Sequence, residues 1–169
     1  MTGQAISKKL EGLLIPLDKV PHAELVPAAY VTGGSVTAQV VYGDSCSMMI
    51  AKRVPGYHSK PHSHDCEQLN YVLDGEIFIY IDDAGYIARK GDMFRVPANA
   101  IHWSHVSAQG CTLLEVHAPS LIGDANIAKD AVGLFSAAET TDGVKRIPTD
   151  WHLDFDRDAT EVKVKAETG

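Results

Sequence analysis

The sequence predicts an all-β fold, a sandwich or a barrel, and three observations carry that prediction. Between residues 35 and 118, short runs rich in β-branched and aromatic residues follow one another. Each run is bounded by Gly, Pro, Asp or Asn. The boundaries recur at a spacing of roughly 8 to 12 residues, the rhythm of short strands joined by turns.

The runs, in order, are VTAQVVYG, SMMIAKRV, LNYVLDG, EIFIYID, GYIARKG, DMFRVPA, HWSHVSA and CTLLEVHA. LDGE at 73–76 and DDAG at 82–85 read as tight turns between antiparallel neighbours. The ends lack this rhythm. Residues 5–14 suit a short amphipathic helix, and DANIAKDAVGLFSAA at 124–138 suits another. The closing stretch, DFDRDATEVKVKAETG, reads as solvated. The chain therefore divides into an N-terminal extension (1–34), a β-domain (35–118) and a partly irregular C-terminal extension (119–169).

At 169 residues, 45% hydrophobic and 22% charged, the composition is that of one globular domain. A net charge of −7 with no basic stripe argues against a nucleic-acid partner. No run approaches the roughly 20 apolar residues of a membrane helix, and no secretory signal pattern is visible. Three widely spaced cysteines imply no disulfide framework, so a reduced, cytoplasmic setting is expected.

The chemistry concentrates in PHSHDCEQ at 61–68. On an extended segment His62 and His64 point to one face, where two neutral imidazoles can meet one ion. Asp65 to Glu67 suit a turn. If Gln68 then begins a strand facing inward, Asn70 and Val72 share its face. Downstream, GDMFRVPANAIHW supplies Gly91, Pro97 and His102.

These residues resemble the cupin superfamily, in its small single-domain form. Gly56, His62, His64 and Gly75 fall on the first cupin motif, with Gln68 at the position of its glutamate. Gly91, Pro97 and His102 fall on the second, where Asn99 replaces a glycine and Val106 an asparagine. Asn tolerates the positive φ that the lost glycine would have supplied. The resemblance implies a jelly-roll barrel, a double-stranded β-helix, in which His62, His64, Gln68 and His102 hold one divalent ion per chain. Zinc, iron, manganese and nickel all suit imidazole ligands. Glu67 and Cys66 compete with Gln68 for the fourth position: the first supplies charge, the second a soft thiolate. Small cupins also pair through sheet faces, which implies a homodimer.

The fourth ligand matters electrostatically. Three imidazoles and an amide leave the full charge on the ion, making a stronger Lewis acid than a site with a carboxylate. Some cupins with this ligand set open uronate rings or cyclise aromatic polyketides. The leading expectation is thus an enzyme acting on a small carbonyl or enol compound, of isomerase, cyclase, ring-opening or lyase type. One alternative is an iron, manganese or nickel dioxygenase cleaving a diketone or phenolic compound; another is a non-catalytic small-molecule binder.

The strand CTLLEVHA places Cys111, Leu113, Glu115 and His117 on one face. Glu115 is the first candidate for general acid or base and His117 the second. Leu121 stands where the ring-opening cupins carry an arginine, which argues against a uronate. Arg53 reads as a surface cation with a packed stem, with an anion-binding role as the alternative. His58 reads as a loop residue, with guarding the barrel mouth as the alternative, His105 as outside the pocket, and His22 and His152 as surface residues.

Overall fold

In a computed structural model of the chain, residues 15–20, 22–26, 28–42, 45–119 and 149–167 are described. The helices expected over 5–14 and 124–138, and Leu121, lie outside these residues. The described strands are β1 (Ala23–Glu24), β2 (Val36–Tyr42), β3 (Ser47–Arg53), β4 (His62–His64), β5 (Glu67–Ile81), β6 (Ala84–Arg89), β7 (Met93–Val96), β8 (His102–Ala118) and β9 (Thr149–Trp151). One helix, α1 (Arg157–Glu167), follows.

The strands form a curled antiparallel sheet, with β1-β2-β3-β8-β4-β9 in sequence and β5 pairing with β6, β7 and β8. β8 is the spine. Its C-terminal half lies between β3 and β5, and its N-terminal half pairs with the far end of β5 and, at His102, with β4.

Strand alternation decides what faces inward. In β3, Ser47, Met49, Ala51 and Arg53 are buried while Met48 is exposed. Register then aligns inward residues across the sheet. Gln68, His117 and Ser47 form one row; Asn70, Glu115 and Met49 form the next; Val72, Leu113 and Ala51 form a third. Val36, Val40, Ile77 and Leu113 belong to the apolar cluster of this interior. The first two rows are thus mainly polar and the third is aliphatic.

Two pairs of expected strands prove to be single long ones. LNYVLDG and EIFIYID merge into β5, and HWSHVSA and CTLLEVHA into β8. The turn expected at LDGE is therefore a bend within β5, marked by register shifts between Val72 and Asp74 and between Gly75 and Ile77. Its cause is a pair of facing glycines, Gly75 at φ +77° and Gly110 at φ +73°. A Cβ on Gly75 would lie 2.2 Å from the Gly110 carbonyl oxygen. Only glycine permits that approach, so both strands bend there without reversing. At DDAG the expected turn does form, with Ile81 opposite Ala84 and Asp82 at φ +52°.

The C-terminal stretch also differs from its solvated expectation. β9 pairs with β4, and α1 packs on the barrel's outer side. Asp156 caps the helix, its carboxylate accepting from the Ala159 N–H at 3.0 Å. Val164 is buried against Tyr80 and Trp103, which contributes about 1.5–3 kcal/mol. No helix among the described residues is long and apolar enough to cross a membrane.

Candidate metal centre

β4 is three residues long and carries His62 and His64 on its inner side, with Ser63 turned outward to His152. His62 pairs across the strands with His102. The turn before His102 is hooked to β4 as well: the Asn99 N–H donates to the His64 carbonyl at 2.9 Å. Asn99 adopts φ +64°, the left-handed conformation expected of it. These links bring the ligand-capable atoms of His62, His64 and His102 within 4.8 Å of one another.

The three rings are oriented alike. Each Nδ1 lies 3.0 Å from a backbone carbonyl: Lys60 for His62, Cys66 for His64 and Ala100 for His102. A carbonyl only accepts, so Nδ1 carries the proton and every Nε2 presents its lone pair. Backbone locks of this kind fix the tautomer and direction of metal-binding histidines. Burial, the largest influence on each ring, lowers all three pKa values, that of His62 to about 4 and that of His102 well below its ordinary value. The trio is neutral at pH 7, the form that binds metal.

Gln68 is buried in the same cavity. Its Nε2 donates to Asn70 Oδ1 at 2.8 Å and to Glu115 Oε2 at 3.0 Å. With both amide protons aimed at acceptors, the Gln68 carbonyl oxygen is left for another partner. The two competing candidates are placed differently. Glu67 is ion-paired to Arg95, both of them substantially exposed. Cys66 sits 3.1 Å from His64 Nδ1, and burial, reinforced by Asp65, pushes its thiol up to about 12.

Glu115 and His117 both line the cavity. Arg53, expected at the surface, is instead 9% exposed, and its Nη1 donates to Glu115 Oε1 at 2.8 Å. Its strand parity aims it inward, where the opposite charge on Glu115 offsets the cost of burial. Burial alone would raise the Glu115 pKa, but Arg53, His117 and His64 together hold it below the usual carboxylate range. Burial lowers His117 to about 4, and its Nδ1 has no hydrogen-bond partner.

The cavity measures about 110 Å³, and its lining includes Thr149 and Trp151. Trp151 stacks on Tyr30 at 4.1 Å and lies 4.9 Å from the His62 ring. Nothing in the strand pattern pointed to Trp151. Its one signal is the TDW triplet, too short to read as a strand. His58 and His105 lie on the other side of the sheet, against Glu161 of α1.

Residues 49–117 match the family model described as a cupin domain. The barrel is a cupin domain. Among solved structures, it is similar to an RmlC-like cupin from Shewanella frigidimarina, with TM-score 0.52 and 21% identity over 60% of this chain and 86% of that one. KdgF from Halomonas gives TM-score 0.53 and 15% identity over 62% and 91%. The polyketide cyclase RemF from Streptomyces resistomycificus gives TM-score 0.53 and 19% identity over 62% and 77%. At these identities the likeness is one of fold. No curated protein matches the chain.

Proposed function

We propose that this cupin is a metal-dependent enzyme acting on a small carbonyl or enol compound by Lewis-acid chemistry, of isomerase, cyclase, ring-opening or lyase type. The observation that carries this reading is the donor set: three imidazoles with Nε2 released by backbone locks, beside a Gln68 amide whose nitrogen is already engaged. His62, His64, His102 and Gln68 are the proposed ligands. A divalent ion held there by uncharged groups would polarise a carbonyl or enolate oxygen.

Glu115 and His117 are the proposed proton-handling pair. His117 is neutral and has an unpartnered buried nitrogen, so it accepts a proton rather than supplying one. Glu115, held ionised by Arg53, favours the imidazolium formed when His117 takes that proton. Gln68, itself held by Asn70, donates to the carboxylate and helps keep it in place.

The test is α-proton exchange of hydroxyacetone in D2O, followed by NMR, with zinc-loaded protein. Zinc is expected to support exchange without oxygen uptake. Glu115→Gln is expected to slow exchange by about 10²-fold with metal retained. Exchange or turnover that needs ferrous iron and consumes oxygen would select the dioxygenase alternative.

We also propose a homodimer through the outer sheet face, where Met48 (47% exposed), Leu69 (51%) and Met93 (79%) are in or beside adjacent strands. Leu69→Lys with Met93→Lys is expected to leave a monomer by light scattering.

A further inference from the structure

Arg53 has more hydrogen-bonding capacity than the protein uses. A guanidinium carries five N–H donors in a planar fork, suited to a carboxylate held at two points. Glu115 does not provide that grip. Its Oε1 accepts from Arg53 Nη1, but its Oε2 is taken by the Gln68 amide, so the pair is joined through a single bond. Arg53 Nε has no partner at all.

The residue is nonetheless fixed in place. Arg53 is nine-tenths buried, lies over the Tyr57 ring at 5.5 Å, and lines the same cavity as the histidine trio. Around it the wall is aliphatic, with Val36 and Leu113 among its residues. An under-bonded buried cation in an apolar wall, facing a cluster of neutral donors, calls for a ligand with an acceptor-rich anionic end.

We propose that Arg53 is a substrate-anchoring residue, and that the cavity takes a small carboxylate with a short apolar body. The carboxylate sits on the Arg53 guanidinium, and the body lies along the aliphatic wall. The reactive oxygen then falls toward His62, His64 and His102; this last element rests on the Lewis-acid reading, whereas the anchoring by Arg53 does not. Arg53 comes from the end of β3, whereas Leu121 follows β8 in the sequence. A small carboxylate is therefore compatible with the absence of an arginine at that position.

The test compares isobutyrate with isobutyramide, which match in shape and differ in charge, by calorimetric titration of the metal-loaded protein. Isobutyrate is expected to bind at least about tenfold more tightly, as a charge-assisted pair implies. Glu115→Gln removes the negative charge that competes for Arg53 and is expected to tighten isobutyrate further. Arg53→Gln combined with Glu115→Gln is expected to erase the preference. His102→Ala, impaired in metal binding, is expected to keep it, which separates the anchor from the Lewis-acid reading. Equal binding of the two probes by the native protein would overturn the proposal, as would a preference that survives in the double variant. Should that variant not fold, Glu115→Gln alone decides: unchanged or weaker isobutyrate binding overturns the proposal.

Discussion

The protein has two histidine clusters on opposite sides of one sheet, and they are built in opposite ways. Inside, His62, His64 and His102 spend Nδ1 on backbone carbonyls and leave Nε2 open. Outside, His58 places Nε2 on Glu161 Oε1 at 2.8 Å, and His105 Nε2 lies 3.9 Å from Glu161 Oε2. Trp103 donates to the same carboxylate at 2.9 Å. β8 supplies a member of each cluster, His102 inward and His105 outward, three residues apart and so of opposite parity. What separates a candidate metal centre from a structural joint is thus which nitrogen is left without a partner. The inner cluster turns its Nε2 lone pairs toward one another; the outer one shares a carboxylate and fastens α1 to the barrel.

The largest expected effect falls on the inner cluster. His102→Ala should reduce the metal content of purified protein to background by elemental analysis, while Glu161→Leu leaves it unchanged.

Acid should affect both clusters. Six histidines, His58, His62, His64, His102, His105 and His117, have pKa values lowered by burial in the folded chain. Below about pH 6.5 the unfolded chain binds more protons than the folded one, so stability present at neutral pH is lost as pH falls. The loss continues toward pH 4, where His62 and His117 titrate in the fold. The depressed Glu115 pKa adds to it below the ordinary carboxylate range. The Tm of metal-free protein should therefore drop steadily between pH 7 and pH 4 in thermal scans.

Arg53→Met should rank next, because it leaves Glu115 buried and unpaired, at a cost of about 3–5 kcal/mol. Adding Glu115→Leu should recover most of it in denaturant titrations. Glu161→Leu should cost less, about 1–3 kcal/mol, since it strands the buried Trp103 N–H but removes a charge as well.

Much of the inner cluster was legible in the sequence because strand parity and motif spacing act locally. His62 and His64 share a face by period two, and Gly91, Pro97 and His102 mark the second turn. Less legible was anything set by distant partners. Arg53 reads as a surface cation from its residue type, and only its inward side chain, reaching along β8 from opposite Cys111, brings it to Glu115. The bend in β5 looked like a turn because Asp-Gly usually makes one; Gly110 across the strand pair makes it a bend. The helix α1 buries Glu161 and Val164 on one face, so half its inward stripe is charged and no apolar period announces it.

The most direct test of the account is X-ray absorption of the zinc-loaded protein. It predicts a first shell of nitrogen and oxygen at about 2.0–2.1 Å with three imidazole signatures and no sulfur. A sulfur scatterer at about 2.3 Å would place the Cys66 thiolate on the ion and contradict the uncharged ligand set.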